Sequence, residues 1–150
     1  MEDSKLKTTY LPQDEIQSEM ADDTGSKNGY LILIVDDLAD NLQLMSLNLQ
    51  NLGYRVVTAG NGEDAVSVAS LTRPNLILMD IAMPVLDGLG AARKIRLDAS
   101  LEHIPIIAIS AFSTDGFLQA AYDVGFDGYL TKPIDFDKLQ DLISKFLPAA

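Results

Sequence analysis

The chain contains no cysteine, which excludes disulfide bonds, thiolate metal ligands and cysteine nucleophiles. Its single histidine, His103, has no partner at metal-ligand spacing, so a loop role is expected for it. Basic residues are scarce: 11 Lys and Arg stand against 22 Asp and Glu, which gives a formal net charge of -11. This balance argues against direct binding to nucleic acid, because phosphates repel an acidic surface.

Long apolar segments are also missing. No run approaches the roughly 18 apolar residues that indicate a membrane-spanning helix, and the N-terminus lacks the uncharged apolar core of a signal peptide. We therefore expect a cytoplasmic protein that contacts no membrane.

The first 29 residues differ from the rest of the chain. They mix Lys, Glu, Asp, Thr and Ser with scattered apolar residues, and they end in the turn-forming stretch 22–29. We interpret residues 1–29 as a disordered acidic N-terminal tail. Residues 30–148 are long enough for one compact domain with a core of ordinary size.

Short apolar runs alternate with helical segments from Tyr30 onward, and the alternation repeats five times. Strands are predicted at residues 31–35, 54–59, 75–79, 104–110 and 128–131. Helices are predicted at residues 39–52, 63–72, 88–97, 115–124 and 135–146. Several strand runs are apolar throughout rather than alternating, which indicates a parallel sheet covered by helices on both faces.

Right-handed crossovers restrict how five such units can be wound. The expected fold is a flavodoxin-like, doubly wound five-stranded parallel sheet of order 2-1-3-4-5 with five helices. That order makes strands one and three neighbours, so Asp36, Asp37 and Asp80 meet at the carboxyl edge of the sheet. Ser110 and Lys132 end the fourth and fifth strands on the same edge.

Clustered carboxylates of this kind suit a hard cation such as Mg²⁺, which takes oxygen ligands and bridges to phosphate. If one carboxylate attacked a phosphoryl group, the cation and the Lys132 ammonium would offset the charge on the phosphoryl oxygens. The Ser110 hydroxyl could then donate a hydrogen bond to one of those oxygens, so its position would depend on phosphorylation.

Four motifs at this edge closely resemble the receiver domain of two-component response regulators. They are Val35-Asp36-Asp37, MDIAMPVLDG at residues 79–88, ISA at residues 109–111 and YLTKPI at residues 129–134. Their order and spacing match together, and the resemblance covers Leu31 to about Leu147. It implies a stand-alone, single-domain response regulator.

The resemblance assigns a role to each site residue. It implies that Asp80 is the phosphoacceptor, and that Asp36 and Asp37 hold Mg²⁺ together with the Asp80 carboxylate and the Ala82 carbonyl. It further implies that Lys132 pairs with a phosphoryl oxygen.

A second set of matches concerns the residues that would change position on phosphorylation. Ser110 matches the switch Ser/Thr of the family, and Tyr129 matches the aromatic residue whose rotamer follows it. Pro133 matches the family's cis-proline position, and a cis bond at Lys132–Pro133 would aim the lysine.

The resemblance also implies partners. A histidine kinase or a histidine phosphotransfer protein would donate the phosphoryl group, and a downstream target protein would bind the face formed by helix four, strand five and helix five. A phosphorylation-dependent dimer is compatible with the same face. The domain would not be an enzyme, although it would take part in its own phosphotransfer and autodephosphorylation. No DNA-binding output domain is expected in this chain.

Four other interpretations stay open. The chain could be a receiver fragment of a hybrid kinase, or a receiver that works as an unphosphorylated scaffold. A dinucleotide-binding enzyme is suggested by GNGEDA at residues 60–65, with Asp80 lying 20 residues beyond Gly60, although this motif follows the second strand rather than the first. An aspartyl-phosphate phosphatase would need a second acid two residues after Asp80, where the sequence has Ala82.

Overall fold

The computed structural model describes residues 29–81, 87–111 and 115–148, with side chains left undescribed at 115–117. The predicted tail, apart from residue 29, and the proposed ligand Ala82 lie outside the described residues. The strands are β1 Leu31–Val35, β2 Arg55–Ala59, β3 Leu76–Asp80, β4 Ile106–Ser110 and β5 Gly128–Thr131. The helices are α1 Ala39–Asn51, α2 Gly62–Thr72, α3 Gly88–Leu97, α4 Asp115–Val124 and α5 Phe136–Phe146.

All four strand pairs are parallel, and the strand order is β2-β1-β3-β4-β5. The predicted flavodoxin-like order is therefore confirmed. The register sets Val35 beside Met79 and Ser110 beside Thr131, so the carboxyl ends of β1, β3, β4 and β5 lie along one edge of the sheet.

Both faces of the sheet are buried because helices cover each of them, and successive strand residues point to opposite faces. On one face, strand residues such as Leu33 and Ile77 pack against α2, α3 and α4. On the other face, Ile32 and Ile107 pack against α1 and α5. Burial on both sides explains why these strands are apolar throughout. Within the described residues, no helix has the length and apolarity needed to cross a membrane.

Three predicted strands differ from the structure in their bounds. β4 begins at Ile106 rather than at residue 104, because Ile104 donates its N–H to Leu101 in a turn and Pro105 has no N–H to donate. β2 begins one residue later than predicted, since the Tyr54 N–H bonds to the end of α1. β3 is shifted one residue along the chain and ends at Asp80, so this carboxylate belongs to the last strand residue.

Three predicted helix ends are wrong by one residue. α5 begins at Phe136, since Asp135 is its N-cap and accepts the N–H groups of Asp137 and Lys138. α1 ends at Asn51 and α2 begins at Gly62.

Close packing of α3 against the end of β3 predicts a glycine-specific stability effect. A Cβ on Gly88 would lie 2.5 Å from the Asp80 carbonyl oxygen and 2.7 Å from the Ile81 Cα. Gly88→Ala should therefore lower the free energy of unfolding by about 1–3 kcal/mol, because α3 must move away from the strand. Urea unfolding at unchanged m-value measures this.

Gly60→Ala is the matched control, since no atom lies within 4 Å of its added Cβ. This change should alter the free energy of unfolding by less than about 0.5 kcal/mol. Equal effects of the two substitutions would show that the packing of Gly88 on β3 is not tight.

Candidate functional site

Three carboxylates meet at the carboxyl edge of the sheet. Asp36 and Asp37 follow β1, Asp80 ends β3, and one carboxylate oxygen of each lies within 4.8 Å of the others. Asp36 and Asp80 are each only 3% exposed, whereas Asp37 is open to solvent. The direct pairing of β1 with β3 brings the three residues together.

Among the residues that the structure describes, one ammonium group lies against this cluster. Lys132 Nζ is 3.1 Å from Asp80 Oδ2 and 3.8 Å from Asp36 Oδ2. Charged groups buried without a partner cost several kcal/mol each, so the lysine makes the burial of the two carboxylates tolerable. One ammonium against three carboxylates still leaves an excess of negative charge. An oxygen-only donor set with excess negative charge fits a hard divalent cation such as Mg²⁺.

Asp36 is held in place by hydrogen bonds from two groups. Its Oδ1 accepts the Leu38 N–H at 2.9 Å, and its Oδ2 accepts the side-chain amide of Asn41 at 3.2 Å. Asn41 was missed by the sequence analysis, and the available signal was an amide side chain in the first turn of the helix that follows the acid pair. Asn41 thus fixes the orientation of the Asp36 carboxylate, which Lys132 also contacts.

Ser110 and Lys132 complete the edge. Ser110 ends β4 and is 1% exposed, and its carbonyl accepts the Lys132 N–H at 2.8 Å. The Lys132–Pro133 peptide bond is cis. Tyr129 lies three residues earlier on β5, half-buried against the core that faces α2, α3 and α4. Of the predicted site residues, Asp36, Asp37, Asp80 and Lys132 meet at this edge, Ser110 ends the neighbouring strand, and Tyr129 packs against the core.

Asp87 and Gly88 form the start of α3, beside the end of β3. Asp87 caps α3 by accepting the Gly90 N–H at 2.8 Å, and the Gly88 N–H donates to the Ile81 carbonyl at 2.9 Å. The close approach of Gly88 to the backbone of Asp80 was not foreseen. It makes the N-terminus of α3 a support for the residue that carries the central carboxylate.

An apolar groove of 260 Å³ opens beside the carboxylates, between α1 and the start of α5. Leu44, Ile134 and Phe136 form part of its apolar lining, and Asp36 and Lys132 form part of its polar side. Leu44 is 57% exposed, so the groove borders a surface that a second protein can reach.

Comparison with known proteins agrees with this architecture. The family model of the response regulator receiver domain matches residues 32–144. The polar-differentiation response regulator DivK of Brucella anthropi is 34% identical over 116 residues, which cover 77% of this chain and 94% of that protein. The response regulator PleD of Caulobacter vibrioides is 38% identical over 104 residues, which are 69% of this chain but only 23% of that longer protein.

Solved structures give the same result. The receiver domain of the sensor histidine kinase PA1611 from Pseudomonas aeruginosa, solved with a magnesium ion coordinated in its active site cleft, is 36% identical with a TM-score of 0.75. That match covers 81% of this chain and 99% of the other. The chemotaxis protein CheY4 of Vibrio cholerae is 29% identical with a TM-score of 0.76. That match covers 79% of this chain and 99% of CheY4.

Fold, edge residues and relatives therefore lead to one assignment. The chain belongs to the response regulator receiver domain family, whose members act as phosphorylation-dependent signalling switches in two-component systems.

Proposed function

We propose that Asp80 accepts a phosphoryl group from a histidine kinase or a histidine phosphotransfer protein, and that the resulting aspartyl phosphate switches the domain between two states. One observation carries the proposal: the buried Asp80 carboxylate lies 3.1 Å from the Lys132 ammonium, with two further carboxylates beside it. This is the charge arrangement that phosphoryl transfer needs.

We assign Asp36 to the metal-ligand set rather than to the acceptor role. Both oxygens of Asp36 accept hydrogen bonds, from Leu38 and from Asn41, which hold that side chain as a fixed ligand. In the transfer, an Asp80 carboxylate oxygen forms a bond to phosphorus while the bond from phosphorus to the donor's imidazole nitrogen breaks. The nitrogen keeps the electron pair of that bond, and an acyl phosphate forms on Asp80.

Lys132 stabilises the transferred group. Its ammonium is near enough to Asp80 to pair with a phosphoryl oxygen attached there. Asp36, Asp37 and Asp80, with the carbonyl of Ala82 as a further ligand, would hold Mg²⁺, which when bound supplies positive charge to the phosphoryl oxygens. Water later hydrolyses the acyl phosphate, so the domain removes its own signal without acting on another substrate.

Ser110 and Tyr129 change position when Asp80 is phosphorylated. Phosphorylation adds about 1.5 to 2 negative charges and new acceptor oxygens at Asp80. The Ser110 hydroxyl, at the end of the neighbouring strand, donates a hydrogen bond to one of those oxygens and moves toward it. Tyr129 follows into the space that opens, and the surface formed by α4, β5 and α5 changes.

Contacts with other proteins provide input and output. The phosphohistidine segment of the donor approaches along the apolar groove, where exposed Leu44 adjoins Lys132 and Asp36. A downstream target, or a second phosphorylated copy, binds the surface of α4, β5 and α5. The same role serves a stand-alone regulator or a receiver within a sensor kinase. Because the donor kinase draws on ATP, we place the domain in the cytoplasm.

Substitution of Asp80 tests the acceptor assignment. After treatment with acetyl phosphate, the wild-type protein should show a retarded band in Phos-tag electrophoresis, and this band should depend on Mg²⁺. Asp80→Asn should lose it, because an amide is not a nucleophile toward phosphorus. Asp141→Asn, at an exposed position on α5, is the matched control and should keep the band. A band that survives in Asp80→Asn would place the phosphoryl group on another residue.

Removal of Lys132 should separate phosphoryl transfer from metal binding. Lys132→Ala should slow phosphorylation by about 10²–10³-fold, the cost of losing one group that stabilises transition-state charge. The same change should tighten Mg²⁺ binding by about tenfold, because a positive charge near the carboxylates is lost. Phos-tag time courses and calorimetric Mg²⁺ titration measure the two effects.

Lys138→Ala removes an exposed lysine on α5 and should change neither quantity. A Lys132→Ala protein that unfolds like the wild type in urea but phosphorylates at the wild-type rate would contradict the proposed role. Weaker Mg²⁺ binding in that folded protein would contradict the charge argument.

A further inference from the structure

One face of this acidic protein carries a cluster of basic and apolar side chains. Arg73 follows α2, and Arg93 and Lys94 lie on α3, all three exposed. Leu71 and Leu97 are 80% and 81% exposed and belong to the ends of the same two helices. We call these five residues the α2–α3 patch.

The spacing on α3 places three patch residues on one surface. The helix buries Ala91, Ala92 and Ile95 against the core. Arg93, Lys94 and Leu97 are therefore neighbours on the opposite side, since residues three and four apart share a helix face. Two cations and a leucine are thus presented together to solvent.

The end of α2 lies next to the end of α3. Hydrogen bonds from Ser100 hold the pKa of the Asp98 carboxyl below its usual range, and the nearby positive charge of Arg73 lowers that pKa further. Arg73 therefore lies near the end of α3, where Leu97 is exposed. The C-terminal ends of the two helices are adjacent.

The three cations of the patch form no close ion pair with any other residue that the structure describes. On the same helix, Arg96 is fully engaged: it donates to the carbonyls of Gly125, Glu102 and Ile104 and pairs with Asp127 at 2.6 Å. By contrast, in residues 29–81, 87–111 and 115–148, no ion pair within 4.0 Å involves Arg73, Arg93 or Lys94.

The N-terminal segment joins the domain close to this patch. The Leu31 N–H donates to Asn75 Oδ1 at 2.8 Å, and the Asn75 N–H donates to the Leu31 carbonyl at 2.7 Å. Gly29 lies two residues before Leu31, and Arg73 lies two residues before Asn75. At most about 20 Å therefore separates Gly29 from Arg73, given the reach of two residues on each side. Arg55 fixes this point by donating to the Gly29 carbonyl at 2.9 Å.

The charge of the N-terminal segment is opposite to that of the patch. Residues 10–23, YLPQDEIQSEMADD, contain five Asp and Glu, no Lys or Arg, and the apolar residues Leu11, Ile16 and Met20 among the acids. Residues 24–28 connect this stretch to Gly29, and five residues reach up to about 17 Å. Covalent connection at this range gives an effective concentration in the millimolar range, so weak pairings suffice.

We propose that residues 10–23 dock on the α2–α3 patch of the same chain. Their carboxylates pair with Arg73, Arg93 and Lys94, and their apolar side chains cover Leu71 and Leu97. The patch lies toward the edge where the strands begin, whereas Asp80 lies at the edge where they end. The docking is therefore independent of the proposed phosphorylation.

Zero-length cross-linking of the 150-residue chain tests the docking. Lys94 is the amine of the patch, and a carbodiimide joins it to a carboxylate only when the two are in contact. Mass spectrometry should find Lys94 coupled to acids between Asp14 and Asp23, several-fold more often than the exposed Lys138 and Lys145 of α5. About 0.5 M NaCl should remove this preference, since salt at that concentration screens exposed pairs beyond a few Å.

Charge reversal supplies the matched variants. The double substitution Arg73→Glu and Arg93→Glu keeps Lys94 as the reporter and should lower its coupling to residues 10–23 several-fold. Lys138→Glu with Lys145→Glu reverses the same number of charges on α5 and should leave the coupling unchanged. Urea unfolding verifies that both proteins are folded.

Three results would overturn the proposal. Coupling of residues 10–23 equally to Lys94, Lys138 and Lys145 would indicate no preferred site. Coupling to Lys94 that persists after charge reversal would exclude charge recognition by the patch. In a mixture of ¹⁴N- and ¹⁵N-labelled protein, cross-links that join the two labels would show that a second copy provides the segment.

Discussion

The ammonium of Lys132 lies between the buried carboxylates of Asp36 and Asp80, and the geometry of the strand ends depends on this contact. Two carboxylates this close repel each other in a poorly hydrated site unless a positive charge lies against them. The three residues come from the ends of β1, β3 and β5, so the pairing exists only with all three strands in register. The hydrogen bond from the Lys132 N–H to Ser110 ties β5 to β4 at the same edge.

The opposite edge of the sheet is organised by a different cation. Arg96 joins the end of α3 to the loop before β4 and to Gly125 after α4, while Asp127 also accepts the Ile106 N–H where β4 begins. A Cβ on Gly125 would lie 2.9 Å from the Arg96 Cγ, so the loop and the arginine are closely packed. The end of α4 is therefore anchored away from the carboxylate site.

Sequence reasoning was most successful where a pattern reflects burial or strand order. Apolar strands and right-handed crossovers favoured the strand order that makes Asp36 and Asp80 neighbours, and the structure brings them together. It was less successful where one hydrogen bond decides the result. The Asn41 contact depends on a side-chain direction that no periodicity encodes. Arg73 caps the end of α2 with a left-handed φ of 49°, and glycine is the residue usually found in this conformation after a helix.

The chemistry of the site favours lysine rather than arginine at position 132. The Lys132 side chain remains 29% exposed although it contacts buried carboxylates. Its flexible stem carries a compact charge, which in the proposed transfer would shift from a carboxylate oxygen to a phosphoryl oxygen while the backbone stays bonded to Ser110. A guanidinium would bind a carboxylate through two parallel hydrogen bonds and hold it in one geometry. If Asp80 is the acceptor as proposed, a movable ammonium would meet two needs at one position: it would make the buried acids tolerable before transfer and neutralise the new charge afterwards.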